Sequence, residues 1–221
     1  MGHPEAKPQD RVLLLHGIGA APRQMAKLER AIAAAGYDTL NPGYPSRRHP
    51  LEQLADGLLV HQNWLTSHPG QTHIVTNSMG GLLARVYLAR HRPPNLGRVV
   101  MIGPPNGGSE IADLLAKNPL YRWFYGPAGQ QLRTMQPASF RESLGKVDYP
   151  LGVIAGDRAI YPVGWLIMPK PNDGRVAVAR TRLADMTDHV TVHATHFGLR
   201  LNPQAIRMTL EFLRAGRFGE S

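Results

Sequence analysis

The chain has no cysteine, which excludes disulfide frameworks, thiolate nucleophiles and Cys-ligated zinc. It has no apolar run near the roughly 18–20 residues that cross a bilayer as a helix. Its apolar runs, such as Val12–Leu15, are the length of a strand. It has little acid: 16 Asp and Glu stand against 25 Lys and Arg, a formal net charge of +9. Nowhere do the basic residues run together in a block; Arg47–Arg48, Arg90–Arg92, Arg175–Arg182 and Arg214–Arg217 are scattered. Such scatter reads as a solvated basic surface; contact with an anionic lipid interface is the second reading, and no nucleic acid is expected. Met1–Asp10 is polar and lacks the apolar stretch of about 7–15 residues that a signal peptide needs, which points to a cytoplasmic protein.

What the chain does have is an α/β rhythm. At 221 residues, 43% hydrophobic and 19% charged, it is long and apolar enough for one domain with a full core. Val12–Leu15, Asp38–Leu40, His73–Thr76, Arg98–Ile102, Tyr149–Ala155 and Val190–His193 read as strands. Pro22–Ala35, Leu51–Leu65, Met79–His91 and Gln204–Leu213 read as helices, with Pro22 at a start and Gly36 just past an end. Gly57 is a blemish in the second helix, and Gly152 interrupts the fifth strand. The alternation predicts a mostly parallel sheet of about six strands with helices on both faces. Residues 1–10 read as a polar tail and 11–221 as a single domain. Within it, residues 104–146 carry helical pieces and the aromatic cluster Leu120–Tyr125 but no strand. An insertion of this kind is expected to lie over the strand ends, where ligands bind in open α/β sheets.

One segment carries chemistry. His73–Leu82 reads His-Ile-Val-Thr-Asn-Ser-Met-Gly-Gly-Leu: strand, sharp turn, helix. This is the setting of a nucleophile elbow, which presents a serine hydroxyl above the sheet. Close approach of strand and helix demands small residues two before and two after Ser78. Gly80 meets that demand, whereas Thr76 stands where glycine is usual. The plain alternative is a tight turn that happens to hold a serine. Val12–Gly19 adds a strand running into His16-Gly17. Acyl transfer needs two backbone N–H donors aimed at the developing oxyanion. Met79, after the serine, and Ile18, after the first strand, are the candidates. His16 is expected to fix that loop rather than to react. The glycines do not fit the spacing of a phosphate-binding loop.

On these residues the chain resembles the α/β-hydrolases, in particular small bacterial serine lipases and esterases. The usual Gly-His-Ser-Met-Gly of that family stands here as Thr76-Asn77-Ser78-Met79-Gly80. Pro105-Asn106-Gly107-Gly108-Ser109 is similar to the Pro-x-x-Gly-Ser segment of these lipases. The resemblance covers about Arg11 to Leu213. It implies a reduced α/β-hydrolase fold with a lid-like insertion, no cofactor, no metal, and a triad in the order Ser, Asp, His. His189, His193 and His196 are candidates for the base, and His196 is favoured by its place in the loop after the last strand. Asp173, in an Asn-Asp-Gly-x-Val segment similar to the lipases' acid segment, is favoured over Asp157.

Three other readings compete. Asp185, Asp188, His189, His193 and His196 form a cluster that invites a metal, but residues four apart on a strand lie about 13 Å apart. A non-catalytic binding protein on the same fold is a second reading, supported by Thr76 and Asn77. Within enzymes, thioesterase, amidase and acyltransferase share the acyl-enzyme with an ester hydrolase, and a triad does not separate them. Trp123, Phe124 and Trp165 are candidates for substrate contact, and a preference for apolar acyl chains is expected. The expected partner is a small-molecule or lipid ester.

Overall fold

In the computed structural model, residues 9–160 and 166–219 are described. Six strands, β1 (Arg11–Leu15), β2 (Asp38–Leu40), β3 (Thr72–Asn77), β4 (Leu96–Ile102), β5 (Leu151–Gly156) and β6 (Asp188–Val192), form one sheet in the order β2-β1-β3-β4-β5-β6. Every pairing is parallel. The chain leaves β1 toward β2, then returns to place β3 on the other side of β1. That reversal opens a crevice at the carboxyl ends of β1 and β3, the place where open α/β sheets bind ligands.

Strand alternation splits the core in two. Leu13, Leu15, Ile74, Val99, Met101 and Val153 face one way. Helices α2 (Leu51–Gly57) and α4 (Met79–His91) cover that face through Leu51, Leu54, Leu82, Leu83 and Val86. Val12, Leu14, Val75, Val100, Ile102 and Ile154 face the other way. Helix α1 (Ala26–Ala34) covers them through Leu28 and Ile32, and the last helix, Pro203–Ala215, through Met208 and Phe212. A continuous apolar run is what a strand covered on both faces requires.

Two local expectations need revision. The helix read over Leu51–Leu65 is three pieces: α2, a 3-10 turn at Leu58–His61, and α3 (Gln62–Thr66). Gly57, with no side chain to hold the helix, ends the first piece, and the tighter turn still buries Leu58 and lets Leu65 return to the core. Gly152 does not interrupt β5; it lies within it. A Cβ there would stand 2.6 Å from the Phe212 ring, so the glycine lets the last helix press its largest side chain onto the sheet. The segment between β4 and β5 holds α5 (Glu110–Leu115), α6 (Pro119–Gln131) and α7 (Ala138–Ser143). Helix α6 is kinked at Gly126, at φ 61° and ψ −160°, with Pro127 following.

Candidate active site

Ser78 joins β3 to α4. Its backbone sits at φ 55° and ψ −126°, and it is the one non-glycine residue at positive φ among the described residues. Such a conformation costs of order 1–3 kcal/mol and needs its surroundings to hold it. The Ser78 N–H donates to the Ile102 carbonyl at 2.8 Å. Gly80 makes the turn possible: a Cβ there would lie 2.4 Å from the Leu15 carbonyl oxygen and 2.8 Å from that of His16. The oddity at Thr76 also has a steric answer. A Cβ at Gly81 would lie 3.4 Å from Thr76 Oγ1 and 2.9 Å from Pro104, so the second glycine supplies room that the threonine takes up.

Two further loops reach the serine. His196 follows β6, in the short helix His196–Leu199, and its Nε2 lies 2.9 Å from Ser78 Oγ. Asp173 lies in the loop between β5 and β6, and its Oδ2 is 2.7 Å from His196 Nδ1. The second carboxylate oxygen accepts from the N–H groups of Arg175 at 2.9 Å and Val176 at 2.7 Å. The Asp173 carbonyl also accepts the His196 N–H at 2.9 Å, so the two loops are locked by backbone as well as side chain. A carboxylate only accepts, so in the neutral imidazole the proton sits on Nδ1 and Nε2 is left to accept from the serine hydroxyl. Asp173 and His196 are 2% and 6% exposed, which keeps water from competing for these bonds. The rival acid, Asp157, instead meets the exposed His193, Oδ1 to Nδ1 at 2.9 Å. His189 lies within β6 and meets the Thr181 hydroxyl at 3.0 Å. Among the described residues no group of three His, Asp or Glu is placed to hold a metal ion.

The loop after β1 faces the serine across β1–β3 register, where Leu15 pairs with Thr76. A turn closes it, Ala20 N–H to Gly17 carbonyl at 3.2 Å, with Ile18 at its corner. Among the described residues neither the Ile18 nor the Met79 N–H meets an acceptor, and Met79 opens α4, where first-turn N–H groups have no intrahelical partner. His16 is buried, and burial lowers its pKa, so it is a neutral ring. Its Nδ1–H donates to the Gly17 carbonyl at 2.9 Å. Tyr44, which no sequence signal marks, stacks on that ring at 3.9 Å and donates its hydroxyl to the His16 carbonyl. Ser46 Oγ accepts the Gly19 N–H at 3.0 Å.

A cleft of about 190 Å³ opens above Ser78, lined by Ile18, Ile111, Ala112, Leu132 and Phe197, with Tyr121, Phe124 and Tyr125 from α6. Burial pushes the Tyr121 phenol up to about 12. Phe124 thus lines the cleft above Ser78. Trp123 does not: its side chain is 79% exposed and turned from the cleft, because one helical step carries it off the face that holds Tyr121 and Phe124. Trp165 falls outside the described residues.

A parallel sheet with an elbow serine at the switch point is one observation; sequence comparison adds another. The family model described as the alpha/beta hydrolase fold matches residues 10–155. The chain belongs to this family. No curated protein matches it in sequence. Among solved structures it is similar to a lipase of Bacillus licheniformis in its mature form, with TM-score 0.73, 21% identity, and 97% of this chain and 94% of that one covered. It is also similar to a metagenome-derived lipolytic enzyme, with TM-score 0.66, 18% identity and coverages of 96% and 98%. A phospholipase of Legionella pneumophila has TM-score 0.69 at 14% identity; 95% of this chain covers 60% of that larger one. At these identities the likeness is one of fold. Among the described residues no helix of this α/β-hydrolase is long and apolar enough to cross a membrane.

Proposed function

We propose that this α/β-hydrolase is a serine carboxylic-ester hydrolase. The observation that carries the reading is the unbroken chain of hydrogen bonds from Asp173 through His196 to Ser78, at 2.7 and 2.9 Å. Ser78 Oγ attacks the ester carbonyl as His196 Nε2 takes its proton. The carbonyl oxygen gains the negative charge, and the Ile18 and Met79 N–H groups receive it. The intermediate collapses, the alcohol leaves with the proton from His196, and the acyl group stays on Ser78. Water, deprotonated by His196, then attacks that acyl group, releases the acid and restores the serine. Asp173 keeps the imidazole in the required tautomer throughout. No step calls for a metal or cofactor.

The apolar cleft supports an apolar acyl chain. Leu120 and Trp123, 69% and 79% exposed on α6, support an amphipathic or lipid ester, and the net charge of +9 supports its arrival at an anionic interface. The test is a fluorophosphonate probe followed by mass spectrometry. One adduct on Ser78 is expected, with Ser78→Ala unlabelled. A wild-type protein that stays unlabelled beside a labelled control esterase would overturn the reading.

A further inference from the structure

The cations of the cleft gather on one ring. Phe197 follows His196 directly and is 48% exposed. The Arg175 guanidinium stands 4.6 Å from the centre of its ring and that of Arg200 6.0 Å. Both side chains are half-buried and both line the cleft with Ser78. Arg200 Nε donates to the Gln24 carbonyl at 3.1 Å, which fixes its head group at the rim. No Asp or Glu lines the cleft among the described residues. Some other arginines meet carboxylates, as Arg11 does Asp38, Arg92 Asp148 and Arg180 Glu110, and the buried Arg85 meets the Gly145 carbonyl. Among the described residues neither Arg175 nor Arg200 meets a carboxylate. Half-buried cations without a counter-charge are costly to keep. A guanidinium over an aromatic face still has N–H donors to offer a planar or tetrahedral anion.

We infer that Arg175 and Arg200 bind an anionic group, phosphate or carboxylate, on the alcohol portion of the ester. This rests on the ester-hydrolase reading above. The side follows from the proton's path. His196 Nε2 hands its proton to the departing alcohol, and Phe197 with its guanidiniums is the surface beside that imidazole. Ile18, Ala112 and Leu132 leave the acyl chain an apolar wall.

The experiment compares kcat/KM for matched aryl esters with one short acyl group. The leaving phenol carries a carboxylate, a phosphate or a neutral methyl ester; a further substrate places the carboxylate on the acyl chain instead. A short-chain diacylglycerophosphate, run beside the dissolved aryl phosphate, tells a lipid headgroup from a soluble phosphoester. In the wild type the anionic phenols are expected to be preferred over the neutral one. Arg175→Met and Arg200→Met should each cut that preference about tenfold, and thermal melts report that each variant is folded. Arg141→Ala removes a positive charge outside the cleft and is expected to leave the preference alone. An unchanged ratio in both arginine variants, or a preference confined to the acyl-side carboxylate, overturns the inference while the ester-hydrolase reading stands. If no ester turns over and Ser78 resists the probe, the parent reading has failed, and this one with it.

Discussion

In the proposed mechanism the most consequential single residue is the acid, because two aspartates lie in the loops beyond β5 and each holds a histidine. Only Asp173 is bonded to the histidine that meets Ser78. Asp173→Asn is therefore expected to lower kcat by about 10³-fold or more, since the amide no longer enforces the tautomer. Asp157→Asn, on the exposed His193, should leave kcat within a few-fold. Steady-state assays of the two variants decide between them, and the reverse result would move the triad. Tyr44 acts one step away, through His16, on the loop that carries Ile18. Tyr44→Phe keeps the stacked ring and removes the hydroxyl donor. A fall in kcat of about tenfold or less, with KM nearly unchanged, is expected if the loop is what places an oxyanion donor. A change in KM alone would mark Tyr44 as part of a binding wall.

At the scale of elements, the helices around the cleft are held by local devices that can be removed singly. The last helix starts with Asn202, whose side chain accepts the N–H groups of Gln204 at 2.8 Å and Ala205 at 3.2 Å. Asn202→Ala should cost about 1 kcal/mol and lower Tm by about 2–4 °C, with no change in turnover, as measured by urea and thermal melts. Helix α6 bends at Gly126, where a Cβ would fall 1.7 Å from the Arg47 carbonyl oxygen. The Arg47 guanidinium in turn lies over the Phe124 ring at 4.5 Å. Gly126→Ala is expected to push α6 away and to lower activity more than stability, because Tyr121, Phe124 and Tyr125 move with it. Equal losses in both would show that the kink serves packing alone.

For the molecule as a whole, the buried His16 and His73 and the half-buried His189 make stability depend on acid. Burial lowers the pKa of His16, His73 and His189 from 6.5, the last to about 4. The folded chain then binds fewer protons than the unfolded chain at pH values between those limits. Their contribution is complete above about pH 6.5 and is lost progressively as pH falls below it, for His189 toward about 4. Tm should drop across that window, and His189→Gln should flatten part of the drop; a Tm that holds level down to pH 4 would contradict it. The net charge of +9 also takes on local meaning. Most arginines are spread over the surface, but Arg175 and Arg200 converge on one cleft that carries no acid among the described residues. They lie 25 positions apart in the chain, so composition could not distinguish them from their neighbours.

The amino-acid sequence alone determined the α/β class, the strand positions and the elbow at Ser78. Each of these is a local matter: a run of apolar residues, a helical period, a glycine two places after a serine. It pointed to His196 by loop position and to Asp173 by a motif. Their hydrogen bonds were decided by the tertiary structure, since separations of 118 and 23 residues close only when β3 and β6 align in one sheet. The same holds for what the sequence misjudged or left unmarked. Gly152 looks like a break until Phe212 packs on it, Trp123 looks like a pocket residue until α6 turns it outward, and Tyr44 is silent until it stacks on His16. Local pattern fixes which elements form, because it is set by neighbours along the chain; which side chains meet is fixed by packing, which brings together residues that no spacing rule connects.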